Sequence, residues 1–78
     1  MARMSHLSVG ESGEVVEVLG DDALSIRLME MGLTPGTVVQ LLGQAPWGDP
    51  LEFQVRGYRL SLRRREAERI AIRRNGNA

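Results

Sequence analysis

The chain contains no cysteine and no lysine. One histidine, one tryptophan, one tyrosine and one phenylalanine are spread over 78 residues. Each shortage excludes something. Without cysteine there is no disulfide framework and no thiolate metal site. A zinc site of histidine and cysteine ligands goes with it. The lone histidine, His6, lies in the opening "MARMSH", so no Cys–His or Ser–His pair can assemble from the body of the chain. No G-x-x-x-x-G-K-[ST] occurs, which removes the phosphate-binding P-loop, and "GESG" at 10–13 reads as a turn. Asp21 and Asp22 are adjacent, but one of them is needed to cap a helix, so only surface binding of a hard cation stays open. No apolar run reaches the roughly 20 residues of a membrane span, and the first ten residues lack a signal-peptide core. These absences point to a cytoplasmic domain that is not an enzyme, carries no cofactor, and acts by contact.

What is present is a charge pattern. The net charge is zero, yet residues 1–50 hold two arginines against seven acids, and residues 51–78 hold eight arginines against three. Arginine without lysine fits a GC-rich coding bias. The segregation can steer an acidic partner to one face; alternatively the two halves interleave in the fold and cancel.

A chain of this length forms one small domain and buries only ~60–65% of its unfolded surface. Residues 1–6 and 74–78 read as flexible ends around a domain at 7–73. Short apolar runs cut by turns at short intervals predict a small barrel. "GEVVEVL" (13–19) is β-branched and reads as a strand with imperfect alternation. Leu24, Leu28 and Met31 then fall on one helical face, capped at the front by Asp21 or Asp22. "MGLTPG" (31–36) reverses the chain. Gly32 sits where a helix ends in a left-handed residue, Leu33 folds back on the last turn, and Pro35–Gly36 turn into the strand "TVVQLL" (37–42). "GQAPWGDP" (43–50) is a connection containing Trp47, Gly48, Asp49 and Pro50. "LEFQV" (51–55) and "YRLSLR" (58–63) alternate and form a hairpin across Arg56–Gly57, with Tyr58, Leu60 and Leu62 on the inner face. "RREAER" gives a helical turn and "IAIR" the last strand, with Ile70 and Ile72 inward. The fold class is therefore mainly β: an SH3-like barrel of about five strands, with one inserted α-helix and a helical turn before the last strand. An OB fold is the alternative.

Two stretches together resemble a known family. "RLMEMGLTPGT" (27–37) and "APWGDPLEFQVRGYRLSLRRREAERIAI" (45–72) are similar to FeoA, the small ferrous iron transport protein A of bacteria. The same SH3-like domain forms the C-terminal module of DtxR-type iron-dependent repressors. The resemblance covers about residues 7–73. It implies an accessory role in uptake of a transition metal ion, Fe²⁺. The implied partner is a FeoB-type permease with a cytosolic GTPase domain, and the membrane is approached only through that partner. A monomer or weak homo-oligomer is expected. Gly32, Leu33, Pro35, Gly36, Gly48, Asp49 and Pro50 match the family's turns, and with Gly57 most read as structural. Leu62, Arg63, Ala67 and Ile70 match its last segment. Trp47 departs from the family pattern, where a smaller aliphatic is commoner. Candidate partner-binding residues are Arg27, Glu30, Met31 and Leu33 around the helix end, and Trp47 and Asp49 in the loop. The alternative function is nucleic-acid binding through the arginines of "RLSLRRREAER". Tyr58, the only aromatic there, is expected in the core, which counts against it.

Overall fold

The computed structural model describes residues 1–74. Its elements are β1 (Ala2–Arg3), a 3₁₀ turn (Met4–His6), β2 (Ser12–Val18), α1 (Ala23–Glu30), β3 (Val38–Gln44), β4 (Leu51–Val55), β5 (Tyr58–Leu62), α2 (Arg64–Ala67) and β6 (Ile70–Arg74). The strands form one antiparallel sheet in the order β1-β6-β2-β3-β4-β5. It wraps a core of Phe53, Met4, Leu28, Leu33, Leu51, Leu62, Ile70, Ile72, Val15, Val39 and Val55. Each such side chain contributes about 1.5–3 kcal/mol by leaving water.

The imperfect alternation in β2 has a structural cause. Its register against β6 shifts between Val15 and Glu17, leaving Val16 as the extra residue of a bulge. A second shift between Leu41 and Gly43 bends β3 before the Trp47 loop. The β4–β5 hairpin turns through Arg56 (φ 46°) and Gly57 (φ 89°). Two positive φ values match the right-handed twist of the strands, so Arg56 accepts a conformation uncommon for a side chain.

The front of the chain differs from the expectation of a frayed end. Residues 2 and 3 pair with Ile72 and Ala71 of β6, and Met4 is fully buried. Arg3 donates to the Glu68 carbonyl (2.8 Å), Ser5 Oγ to Glu68 Oε2 (2.6 Å), and Arg74 to the His6 carbonyl (2.8 Å). Two residues are too few to show a strand period, and the partners lie more than sixty positions away. Arg74 ends β6; the rest of the expected C-terminal tail, 75–78, lies outside the described residues.

Tyr58 is the second difference. Pairing parity placed it in the core, yet it is exposed at the start of the edge strand, and only Leu62 of its face is fully buried. Its hydroxyl donates to the Met31 carbonyl instead, joining the edge of the sheet to the end of α1.

Candidate functional site

Helix α1 shows how the sequence places a surface. Asp22 caps it, accepting from the Ser25 amide (3.2 Å), while Ser25 Oγ donates back to the Asp22 carbonyl (2.7 Å). Both oxygens of Asp22 also receive the Arg69 guanidinium, at 2.9 and 2.7 Å. That fork, with the Ser25 amide, holds the Asp22 carboxyl well below the usual carboxylate range and raises Arg69 above its ordinary value. The far end closes with two bonds. The Gly32 amide donates to the Met29 carbonyl (3.0 Å) and the Leu33 amide to the Leu28 carbonyl (3.3 Å). This is the Schellman arrangement, and Gly32 (φ 102°) supplies its left-handed residue.

With Leu28 and Ser25 buried, the opposite side of α1 faces water. Ile26 and Met29, three apart, lie there with Arg27 and Glu30, and all four are exposed. Arg27 leans off this side to pair with Glu66 of α2 (2.8 Å). Met31 is half-buried against the core. Leu33, expected at the partner surface, is fully buried. The Schellman turn at Gly32 folds the next residue inward, so Leu33 is unavailable to a partner.

The loop at 45–50 is the second candidate. It closes on itself through the Gly48 amide to the Ala45 carbonyl (2.7 Å) and the Ala45 amide to the Pro50 carbonyl (3.0 Å), with a cis Asp49–Pro50 peptide. Arg64 holds it from below. Its guanidinium donates to the Gly48 carbonyl (2.9 Å), Gln44 Oε1 (3.2 Å) and the Ser5 carbonyl (3.4 Å), and its amide donates to Asp49 Oδ1 (2.7 Å). Asp49 is thus largely a structural anchor. Trp47 stands out from this base, 88% exposed. It does not fold back over the core.

Both surfaces are fastened to the four residues of α2, the helix through Glu66 and the loop through Arg64. Gly32, Gly36, Gly48 and Gly57 all take positive φ, as their turn roles require. Sequence reasoning missed Ile26 and Met29, although their spacing opposite Leu24 and Leu28 was a readable signal. It also passed over Arg64 as a loop anchor, for which no sequence signal exists, since its acceptors are mostly backbone carbonyls. Among the described residues no three His, Asp or Glu side chains converge on one point. Among the described residues no helix is long and apolar enough to cross a membrane.

Comparison with known proteins agrees with the resemblance. Residues 2–74 match the model of the FeoA domain. A curated protein of Porphyromonas gingivalis, an Fe(2+) transport protein A/Fe(2+) transporter FeoB fusion, is 33% identical over 70 residues. The match takes in 90% of this chain, which spans only 8% of the length of that relative. The solution structure of FeoA from Chlorobium tepidum superposes with a TM-score of 0.88 at 36% identity, covering 99% of this chain and 73% of that one. The zinc complex of Stenotrophomonas maltophilia FeoA, described as a procaryotic SH3 domain protein, gives a TM-score of 0.81 at 33% identity, covering 92% and 89%. The fold is the SH3-like one.

Proposed function

The chain belongs to the FeoA family, associated with ferrous iron transport, and from that premise we propose that it is a non-enzymatic accessory protein that binds a FeoB-type permease through the permease's cytosolic GTPase domain. One observation carries this reading. In the Porphyromonas gingivalis relative, the iron transport protein A and FeoB portions share one polypeptide. Covalent fusion holds two modules at high effective concentration, which favours modules that work in contact.

The partner surface in this reading is the outer side of α1. Ile26 and Met29 give a small apolar centre, and Glu30 and the Arg27–Glu66 pair give a polar rim. A few central apolar anchors ringed by polar groups are the usual anatomy of a binding site. The helix is fastened at both ends and at its middle, so little freedom is lost on docking.

The test is an NMR titration of the labelled chain with the GTPase domain of the permease from the same organism. Shifts centred on residues 23–31 are expected. The double variant Ile26→Ser/Met29→Ser should abolish them while leaving the rest of the spectrum in place, because neither side chain is buried. Silence at saturating GTPase domain, or shifts centred on β3 and β4, would sink the proposal.

A further inference from the structure

We propose that the Trp47 loop is a membrane-surface anchor, seating the indole in the headgroup layer of an anionic bilayer with Arg59, Arg63 and Arg65 against the lipid phosphates. Exposure is the first observation. Trp47 is the most exposed large apolar side chain of the domain, at 88%, while Phe53 is wholly buried. A domain with three aromatics places its largest one in water. Tryptophan is the side chain enriched at membrane–water boundaries, because its ring is apolar and its N–H is polar.

Rigidity is the second. The loop is closed by its own backbone bonds and held by Arg64 at Gly48, Gln44 and Asp49. A ring projecting from a fixed base loses little freedom when it is seated.

Charge is the third. Of ten arginines, six are engaged within the domain: Arg3, Arg27, Arg56, Arg64, Arg69 and Arg74. Among the described residues, Arg59, Arg63, Arg65 and Arg73 form no ion pair. Three of these four belong to the strand-to-helix segment that carries the loop's anchor: Arg59 is on β5, Arg63 follows it, and Arg65 is on α2. Arg63 and Arg65 flank Arg64, and Arg59 lines a groove shared with Ala45 and Pro50 at the two ends of the loop. The opposing acids are Asp49, with one oxygen taken by the Arg64 amide, Glu52, Glu66, which accepts from the Arg63 amide and pairs with Arg27, and Glu68, which accepts from Ser5. A planar guanidinium matches phosphate oxygens two at a time.

A nucleic acid would also attract these arginines. Single-strand binders, however, interleave several aromatics with the charge so that successive bases stack. Here one indole stands at a loop tip, and the Tyr58 hydroxyl is tied to Met31. A lone exposed aromatic on a loop based on an arginine-rich segment fits a lipid surface better. Lipid contact at this loop is independent of partner contact at α1, and the two can fail separately.

Trp47 is the only tryptophan, so its emission reports on the loop alone. The full chain is titrated with vesicles of phosphatidylglycerol and phosphatidylcholine, and in parallel with phosphatidylcholine alone. A blue shift is expected with the anionic vesicles only, fading as salt rises. In co-sedimentation, Arg63→Ser/Arg65→Ser should lower partitioning about 30-fold, roughly fivefold for each charge near the surface. Trp47→Ala should also lose the pellet fraction with an unchanged circular dichroism spectrum. Unmoved emission at saturating lipid, or equal shifts with neutral vesicles, would overturn the proposal. So would a shift produced only by the GTPase domain, which assigns the loop to a protein, or only by a mixed-sequence oligonucleotide, which assigns it to nucleic acid. Failure with lipid leaves the α1 reading intact, and loss of GTPase-domain binding in the α1 variant leaves vesicle binding intact.

Discussion

Replacing Gly32 by alanine should cost more than replacing Gly36, and the excess should vanish when the Tyr58 hydroxyl is removed. Both glycines hold φ values that side chains avoid, 102° and 92°. That conformational cost is about 1–2 kcal/mol for any L-residue. At Gly36 an added Cβ meets nothing within 4 Å, so this is the whole cost. At Gly32 the new Cβ falls on the Tyr58 hydroxyl. The ring must swing away, and the bond to the Met31 carbonyl goes with it. A net hydrogen bond contributes about 1 kcal/mol, so Gly32→Ala totals about 2–3 kcal/mol. In a Tyr58→Phe background the clash is gone, because the ring carbon Cζ sits 3.6 Å from the new methyl, an ordinary contact. Gly32→Ala should then cost the same about 1–2 kcal/mol as Gly36→Ala. Urea unfolding of the parent, the two single variants, the double variant and Gly36→Ala gives the coupling directly, provided the slopes agree. A difference of about 1 kcal/mol also appears as about 4–8 °C in Tm for a domain of this size. Equal costs at the two glycines, or strict additivity of Gly32→Ala with Tyr58→Phe, would refute the link between the edge strand and the helix end.

Three further outcomes follow from the same contacts. Asp22→Asn keeps a cap for Ser25 but loses the Arg69 fork; because the folded carboxyl is held below its ordinary range near about 3.9, the unfolded chain binds the proton first and stability rises with pH. The advantage of the parent protein over Asp22→Asn should therefore be full at neutral pH and shrink as pH falls below about 4, and urea midpoints across that range that showed it growing would contradict the ion pair. Arg64→Ala and Arg64→Lys should both free the Trp47 loop, seen as faster anisotropy decay of the single tryptophan; a lysine that preserved the parent decay would show that a point charge suffices. Leu33→Ala should cost about 2–5 kcal/mol as a core truncation, whereas Ile26→Ser should stay within about 0.5 kcal/mol, and thermal melts that reversed this order would reverse the assignment of core and surface.

The turns and the hairpin were legible because their residues carry local constraints. Gly32 and Gly36 mark positions that side chains avoid, and Leu51, Phe53 and Val55 alternate cleanly into the core. The bulge at Val16 was visible only as a fault in the pattern of β2. The burial of Met4 and the exposure of Tyr58 were not legible, since both depend on neighbours distant in the chain: β6 covers the first, and the second lies on an edge that no strand covers. The same limit applied to the candidate site. Trp47 and the α1 face could be named from residue type and spacing. Which of their neighbours are exposed could not. Leu33 carries two readings in the sequence, as the residue that folds back on the last turn and, being apolar at a turn, as a partner contact; its full burial agrees with the first and removes the second.

The arginine-only composition acquires a meaning that coding bias does not supply. Bias explains why an exposed cation such as Arg73 is arginine. It does not explain why the internal ties use the shape of the group. Arg64 reaches the Gly48 carbonyl, Gln44 Oε1 and the Ser5 carbonyl from one plane, and Arg69 grips both oxygens of Asp22 and also the Leu19 carbonyl. An ammonium is one point with three donors and cannot span such acceptors. A small domain with a limited core gains most from side chains that tie several loops at once. Here those ties fix the N-terminus of α1 and the base of the Trp47 loop, the two surfaces left free to meet something else. The ion pairs Arg69–Asp22 and Arg74–Glu11 also join the basic half of the chain to the acidic half. The charge segregation of the sequence is therefore partly cancelled in the fold. What survives is local: Arg59, Arg63 and Arg65, which form no ion pair among the described residues, lie on the segment that carries the Trp47 loop's anchor.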